Sequence, residues 1–400
     1  MILRFWQKSQ PARRTLIFAS STHVWSDLFF ALYAPLLPLI KEDLDLTFTE
    51  VALLKSVYAG ASAVLQVPVG FIAERVGEFW LLIGGIIWVA VGLICMALAP
   101  GFALLLGFTF VGGLGGGTQH PLASSIVSRA YEDKGRATAV GTVNFAGDLG
   151  KLLSPVLALV IAVNYGWRLT MLVIGVAAIV YMIMTVLIRR SIDIDRPDSP
   201  DSRGSQDSTG TISAGYITLS VVGFLDSATR AAALTFIPFI LEDKGFSISE
   251  IFSMLILLLI GGAAGKYLCG RLSERYGTIE LIWITKGIAA GLLTLTIYTP
   301  LTLIGPLMIV LGITLNGTSS VLYSSVAEMV PNARRSRMYG FFYTTNESGS
   351  FAAPLFYGLI ADIFSVRVSM VIMGILTAVI LPVSLPLKIY LGRNKAWESP

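Results

Sequence analysis

The sequence predicts an all-α polytopic membrane protein, with twelve transmembrane helices arranged as two pseudo-symmetric six-helix bundles. Three observations point there. Of 400 residues, 54% are hydrophobic and only 14% are charged, where soluble domains carry about 25% charged residues. A water-soluble fold needs more polar groups than that to cover its surface, so the bilayer is the solvent. Apolar runs of about 20 residues, the length that crosses a hydrocarbon layer about 30 Å thick, recur from end to end. The second half also repeats the first at an offset near 200 residues, the mark of a duplicated structural unit. The formal charge of +4 comes without any block of like charges, which excludes a nucleic-acid partner and is read as membrane topology. Cys95 and Cys269 both lie in apolar runs, so neither a disulfide framework nor a metal site is expected.

Cutting the chain at charge, Pro and Gly clusters gives spans at approximately 15–40, 49–73, 80–99, 101–128, 137–163, 168–188, 214–241, 248–272, 279–298, 301–328, 338–361 and 366–388. The first follows Arg13 and Arg14 but is about twice as long as a signal-peptide core. It contains Asp27 and lacks a small-residue cleavage site, so it reads as a retained helix. Of the 29 Lys and Arg, 20 fall on the side of the N-terminus, 4 (Lys41, Arg168, Lys244 and Arg367) on the other side, and 5 within spans. The positive-inside rule then places both termini in the cytoplasm, in a bacterial-type inner membrane, and demands an even number of spans. The stretch 189–211, rich in Ser, Asp, Pro and Gly, reads as a flexible cytoplasmic linker. It separates an N-terminal bundle, 1–188, from a C-terminal bundle, 212–400.

The repeat has a register. GFIAERVG, Gly70 to Gly77, returns as GRLSERYG, Gly270 to Gly277, and Glu42-Asp43 with Thr49-Glu50 returns as Glu242-Asp243 with Ser249-Glu250. At an offset of 199, Asp27 meets Asp226, and Gly141, Asp148, Gly150 and Pro155 meet Gly340, Glu347, Gly349 and Pro354. Equal topology in the two halves implies an axis along the membrane normal, with a solute path between them.

The motif G-x-x-x-E-R-x-G, repeated in a twelve-span chain, resembles the major facilitator superfamily of secondary transporters along its whole length. There the loop usually reads G-x-x-x-D-R/K-x-G-R-R/K. Glu74 stands where Asp is usual, and Glu78 and Phe79 where basic residues are usual. The resemblance implies that Gly70, Glu74, Arg75, Gly77, Gly270, Glu274, Arg275 and Gly277 form cytoplasmic gating loops. It also implies that spans one, four, seven and ten line the transport path, helped by two, five, eight and eleven. Span four, with Gly-Gly-Gly-Thr-Gln119-His120-Pro121, and the glycine-spaced span five look like the fosmidomycin-resistance branch of efflux proteins.

A charge at the bilayer centre costs at least ~2.5 kcal/mol, so intramembrane ionisable groups are the first functional candidates. His23 and Asp27 are four residues apart, Asp148 and Lys151 three, and Asp226 and Arg230 four, spacings at which helical side chains meet. Each pair has two readings, a partner exchange driven by protons or substrate, and a structural tie between helices. Glu347, beside Asn346, has no opposite charge within a turn of its own helix. It is expected either to carry a proton or to bond a polar group such as Asn316. His120, next to Pro121, suits proton transfer, substrate binding or a quiet core role, and Asn144 joins these residues on span five. Lys55, Lys266 and Lys286 are expected to snorkel toward span ends. GGLGGG, Gly112 to Gly117, follows no strand and precedes no soluble helix, so it reads as close helix packing and not as a nucleotide loop.

These residues and the resemblance lead to a monomeric transporter that is not an enzyme and holds no cofactor or metal. Its partners are a small-molecule substrate, protons and the lipid bilayer. Proton-coupled efflux by an antiporter working through alternating access is the expected activity. Uptake or exchange of an organic anion is the alternative, and an intramembrane enzyme or sensor is the reading outside transport.

Overall fold

The structure, a computed structural model, describes residues 10–131, 136–188, 213–329 and 335–390. The linker 189–211 lies outside the described residues, as do the side chains of Glu74 and Glu274 and the packing around Gly70. The N-terminal half comprises α1 (Gln10–Leu44), α2 (Phe48–Val76), α3 (Glu78–Ala97), α4 (Phe102–Gly116), α5 (Gln119–Ala130), α6 (Arg136–Leu157) and α7 (Val163–Leu187). The C-terminal half comprises α8 (Ala214–Asp243), α9 (Ile248–Tyr276), α10 (Thr278–Tyr298), α11 (Leu301–Met329), α12 (Arg335–Ile363), α13 (Val366–Ala378) and α14 (Ile380–Ser384). Backbone hydrogen bonds must be met internally in lipid, and a helix meets them within one segment.

Among the described residues, ten stretches are long and apolar enough to cross a membrane. One of them, Ala139–Leu187, turns at Gly166 (φ 78°) and therefore makes two crossings. Helix α12 is 29 residues long, its hydropathy diluted by Thr344, Thr345, Asn346, Glu347 and Ser348, and completes the expected twelve. Two spans are interrupted. Pro155 deprives α6 of a backbone donor, and a five-residue π-helix, Ala158–Ala162, follows before α7. In span four the break falls at Gly117–Thr118 and not at Pro121, which sits in the first turn of α5, where no intrahelical partner for its nitrogen is missed.

The chain forms two compact units. One takes Met1–Leu46 with Val57–Ser199, and the other takes Thr47–Ser56 with Pro200–Pro400. Each half of the sequence carries the same local devices. In one unit Asp43, at the end of α1, accepts from Trp167 Nε1 at 3.1 Å and pairs with Arg168 at 3.0 Å. In the other, Asp243 at the end of α8 pairs with Arg367 at 2.6 Å. Helix α2 opens on a reciprocal cap between Thr47 and Glu50, and α9 on the capping box of Ser247 and Glu250, two donors satisfied by each. Gly150 on α6 lies against the Val24 carbonyl of α1, and Gly349 on α12 against the Phe224 carbonyl of α8. A side chain at either position would drive these helices apart.

Gly77 and Gly277 close the turns after α2 and α9 at φ 87° and 97°, a region costly for residues with a Cβ. Among the described residues a Cβ at Gly77 would meet nothing within 4 Å, so close helix packing is not what fixes a glycine there. Backbone conformation is what this position requires.

Candidate functional site

Helix α1 brings His23 and Asp27 to one face, one turn apart. Both are buried, Asp27 with only 4% of its side chain exposed. Helix α6 supplies Lys151, whose ammonium lies 3.0 Å from Asp27 Oδ2, and Asp148, 3.5 Å from the same ammonium. Helix α5 supplies His120, with Nε2 at 3.8 Å from Asp27 Oδ1 and its ring edge-on to His23, centroids 4.9 Å apart. Both imidazoles stand beyond hydrogen-bond length of the carboxylate, so their attraction to it depends on protonation. Gly147 makes the cluster possible, because a Cβ there would collide with Asp27 and His23. His120 is 44% exposed and Lys151 32%, so the group opens on one side. Asn144, on the same helix as Asp148 and Lys151, is exposed.

The two expected pairs on these helices therefore fuse into one cluster of five residues. The sequence led to no expected metal site, since Cys95 and Cys269 both lie in apolar runs. The fold nevertheless brings His23, Asp27 and His120 within 4.8 Å of one another. Lys151 already supplies a cation to that carboxylate.

In the second unit, α8 carries Asp226 and Arg230, joined at 3.2 Å through Arg230 NH1. A second cation comes from α10. Lys286 pairs with the other oxygen of Asp226 and donates to the carbonyls of Thr314 at 3.4 Å and Leu315 at 3.2 Å. Its side chain has no exposure at all, which overturns the expectation that it snorkels. From residue 286 to the turn at Gly277 is about 13 Å of helix at 1.5 Å per residue, farther than a four-carbon stem reaches. That arithmetic was the missed signal. Lys55 is buried as well, while Lys266 is half-buried.

Around Arg230 stand Ser227, which accepts from NH2 at 3.4 Å and meets Ser350 at 2.8 Å, and Tyr323, whose hydroxyl accepts from Asn346 Nδ2 at 3.4 Å. Tyr323 stacks on Tyr343 at 4.9 Å. Asn346 Oδ1 is buried without a partner. Glu347 is half-buried and engaged, so it is not the lone carboxyl its own helix suggested. Asn316 turns to the Gly312 carbonyl at 3.4 Å and packs against Gly262. Of the loop residues, Arg75 and Arg275 are exposed, and Arg275 lies over the Tyr276 ring at 5.3 Å. Glu78, where a basic residue was the familiar choice, accepts from Ser125 at 2.8 Å.

The sequence profile of the Major Facilitator Superfamily matches residues 20–218 and 219–396. The chain is 25% identical to the gentisate transporter of Corynebacterium glutamicum, over 74% of this chain and 70% of that one. It is 24% identical to the fosmidomycin resistance protein of Escherichia coli, over 87% and 86%. Its fold matches the crystal structure of a bacterial homologue of the human lysosomal transporter Spinster with a TM-score of 0.84, at 17% identity, covering 97% of this chain and 99% of that one.

Proposed function

We infer the activity from one premise: the chain belongs to the Major Facilitator Superfamily. It is a multi-pass membrane protein and a secondary transporter of a small molecule. Our proposal is proton-coupled export by alternating access, as a monomer, from a bacterial-type inner membrane with both termini in the cytoplasm. The observation that carries the coupling is Lys151, set between two carboxylates at 3.0 and 3.5 Å. Protonating Asp27 removes one partner and leaves the other, so the ammonium moves to Asp148 without ever being unpaired. His120, exposed and beside Asp27, is the entry for that proton, and His23 is the buried imidazole behind it. These four neighbours face Asp27 from α1, α5 and α6, and Tyr58 of α2 stands within electrostatic reach. Export is the direction that likeness to a resistance protein favours.

Uptake or exchange of an organic anion is the second reading. Lys286 already neutralises Asp226, which leaves Arg230 with donors to spare, and the gentisate transporter is a relative whose name is that of an anion. Proteoliposomes with an internal pH dye, given gentisate or fosmidomycin under an imposed pH gradient, separate these readings. Coupled export shows solute-dependent proton entry that Asp27→Asn and Glu347→Gln abolish while downhill exchange continues. Solute movement with no proton movement refutes the coupling.

A further inference from the structure

We propose that the second unit contains a subsite for a small aromatic carboxylate, with its anionic group on Arg230 and its ring against the Tyr323–Tyr343 pair. The proposal rests on the transport reading and adds the substrate's chemical class.

The assignment begins with donors. A guanidinium has five N–H groups, and Arg230 spends one on Asp226 at 3.2 Å and one, weakly, on Ser227 at 3.4 Å. Asp226 does not need it for neutrality, because the sealed ammonium of Lys286 already sits on its other oxygen. Lys286 in turn uses its three donors on Asp226 and two carbonyls, so it has none left to offer a ligand. Arg230, 20% exposed, is reachable and retains the planar fork that matches a carboxylate.

Within electrostatic reach of it lies an aromatic pair. Tyr323 and Tyr343 stack at 4.9 Å with planes 29° apart. Tyr343 is 41% exposed, so the pair offers an open ring edge and face to a third aromatic ring. Asn346 fixes Tyr323 through its amide, and its own oxygen stays buried and unpaired against Gly223. Gly223, Ser227 and Arg230 recur at helical spacing along α8, so the asparagine, the tyrosine it holds and the guanidinium share one stripe. Arg230 and Glu347 both act electrostatically on the Tyr323 hydroxyl. Asp226 acts on the same hydroxyl and carries Lys286 on its other oxygen. Neutralising Glu347 removes one negative charge that repels an incoming anion.

The test is binding, measured by isothermal titration on the purified full-length protein in detergent, with benzoate, its neutral isostere benzamide and the non-aromatic cyclohexanecarboxylate as probes. Benzoate is expected to bind about tenfold more tightly than either of the others, a difference of about 1.4 kcal/mol. Arg230→Gln should remove the preference over benzamide, and Arg230→Lys should keep part of it. Tyr343→Leu should remove the preference over cyclohexanecarboxylate, and Glu347→Gln should tighten benzoate but not benzamide. Arg230→Gln leaves Asp226 paired with Lys286 and should fold. Equal affinity for benzoate and benzamide, an unchanged Arg230→Gln profile, or no benzoate binding at millimolar concentration overturns the proposal. Binding in detergent needs no gradient, so benzoate binding without proton-linked flux defeats the coupling alone, and flux without benzoate binding defeats the subsite alone.

Discussion

Replacing Lys286 by Met tests which cation holds Asp226 in the membrane. The substitution preserves length and burial while deleting one charge and its bonds to Asp226, Thr314 and Leu315. Removing one member of a buried ion pair costs about 3–5 kcal/mol, because the partner's charge is left without compensation. Arg230 still contacts Oδ2, so the lower end applies, about 3 kcal/mol. Arg230→Gln leaves the buried pair of Lys286 and Asp226 intact and removes from a partly exposed side chain one bond to Asp226 and a weak one to Ser227, about 1 kcal/mol. At roughly 2–4 °C per kcal/mol, Lys286→Met should lower the apparent melting temperature in detergent by about 6–12 °C, and Arg230→Gln by about 2–4 °C. The double change Lys286→Met with Asp226→Leu should recover most of the loss, since an ion pair replaced by apolar groups is often neutral. The reasoning fails if Arg230→Gln destabilises as much as Lys286→Met, or if the double variant is no more stable than the single one.

Lys151→Met should stop proton-coupled accumulation, and pairing it with Asp27→Asn should restore stability but not coupling; a coupled Lys151→Met transporter would remove the exchange between Asp27 and Asp148. Gly77→Leu and Gly277→Leu should each lose about 1–3 kcal/mol, because φ 87°, ψ 142° and φ 97°, ψ 153° fall in a region that essentially only glycine occupies, and Gly77→Asn should lose a similar amount, since Asn tolerates positive φ only at ψ of about +30° to +60°. An unchanged melting temperature for Gly77→Leu would show that backbone conformation is not what the glycine supplies. Arg367→Ala removes an exposed pair and should cost under about 1 kcal/mol, fading with added salt, whereas Arg168→Ala also removes bonds to the Ala97 and Ala99 carbonyls and should cost more, with a part that salt does not screen; a large, salt-independent loss for Arg367→Ala would contradict the exposure of its pair.

The spans were legible because twenty apolar residues have few other uses, and the halves because Gly77 and Gly277, or Asp43 and Asp243, keep their spacing. Pairs one turn apart, His23 with Asp27 and Asp226 with Arg230, followed from helical geometry alone. Contacts between helices did not. That Lys151 points at Asp27, and Lys286 at Asp226, depends on how each helix is rotated about its axis. A span apolar on every side leaves that rotation undefined. The break in span four falls at Gly117–Thr118 and not at Pro121, for a related reason. A proline in the first turn is harmless, and only the hydrogen-bond pattern tells where a first turn lies.

The Gly150 and Gly349 crossings show that duplication kept the scaffold, while the residues one position further on have parted company. Lys151 corresponds, at the offset of 199, to Ser350, and Ser350 bonds to Ser227, the neighbour of Asp226. The first half thus kept, or acquired, a cation on the helix that crosses the aspartate, whereas the second draws its own from α10. An ammonium 32% exposed can change partners within a transport cycle; one with no exposure at all is fixed for the life of the fold. On the proposed coupling, the two copies of one design would serve as a moving part and an anchor. Grafting a lysine at position 350 while removing Lys286 would ask whether the anchor still remembers how to move.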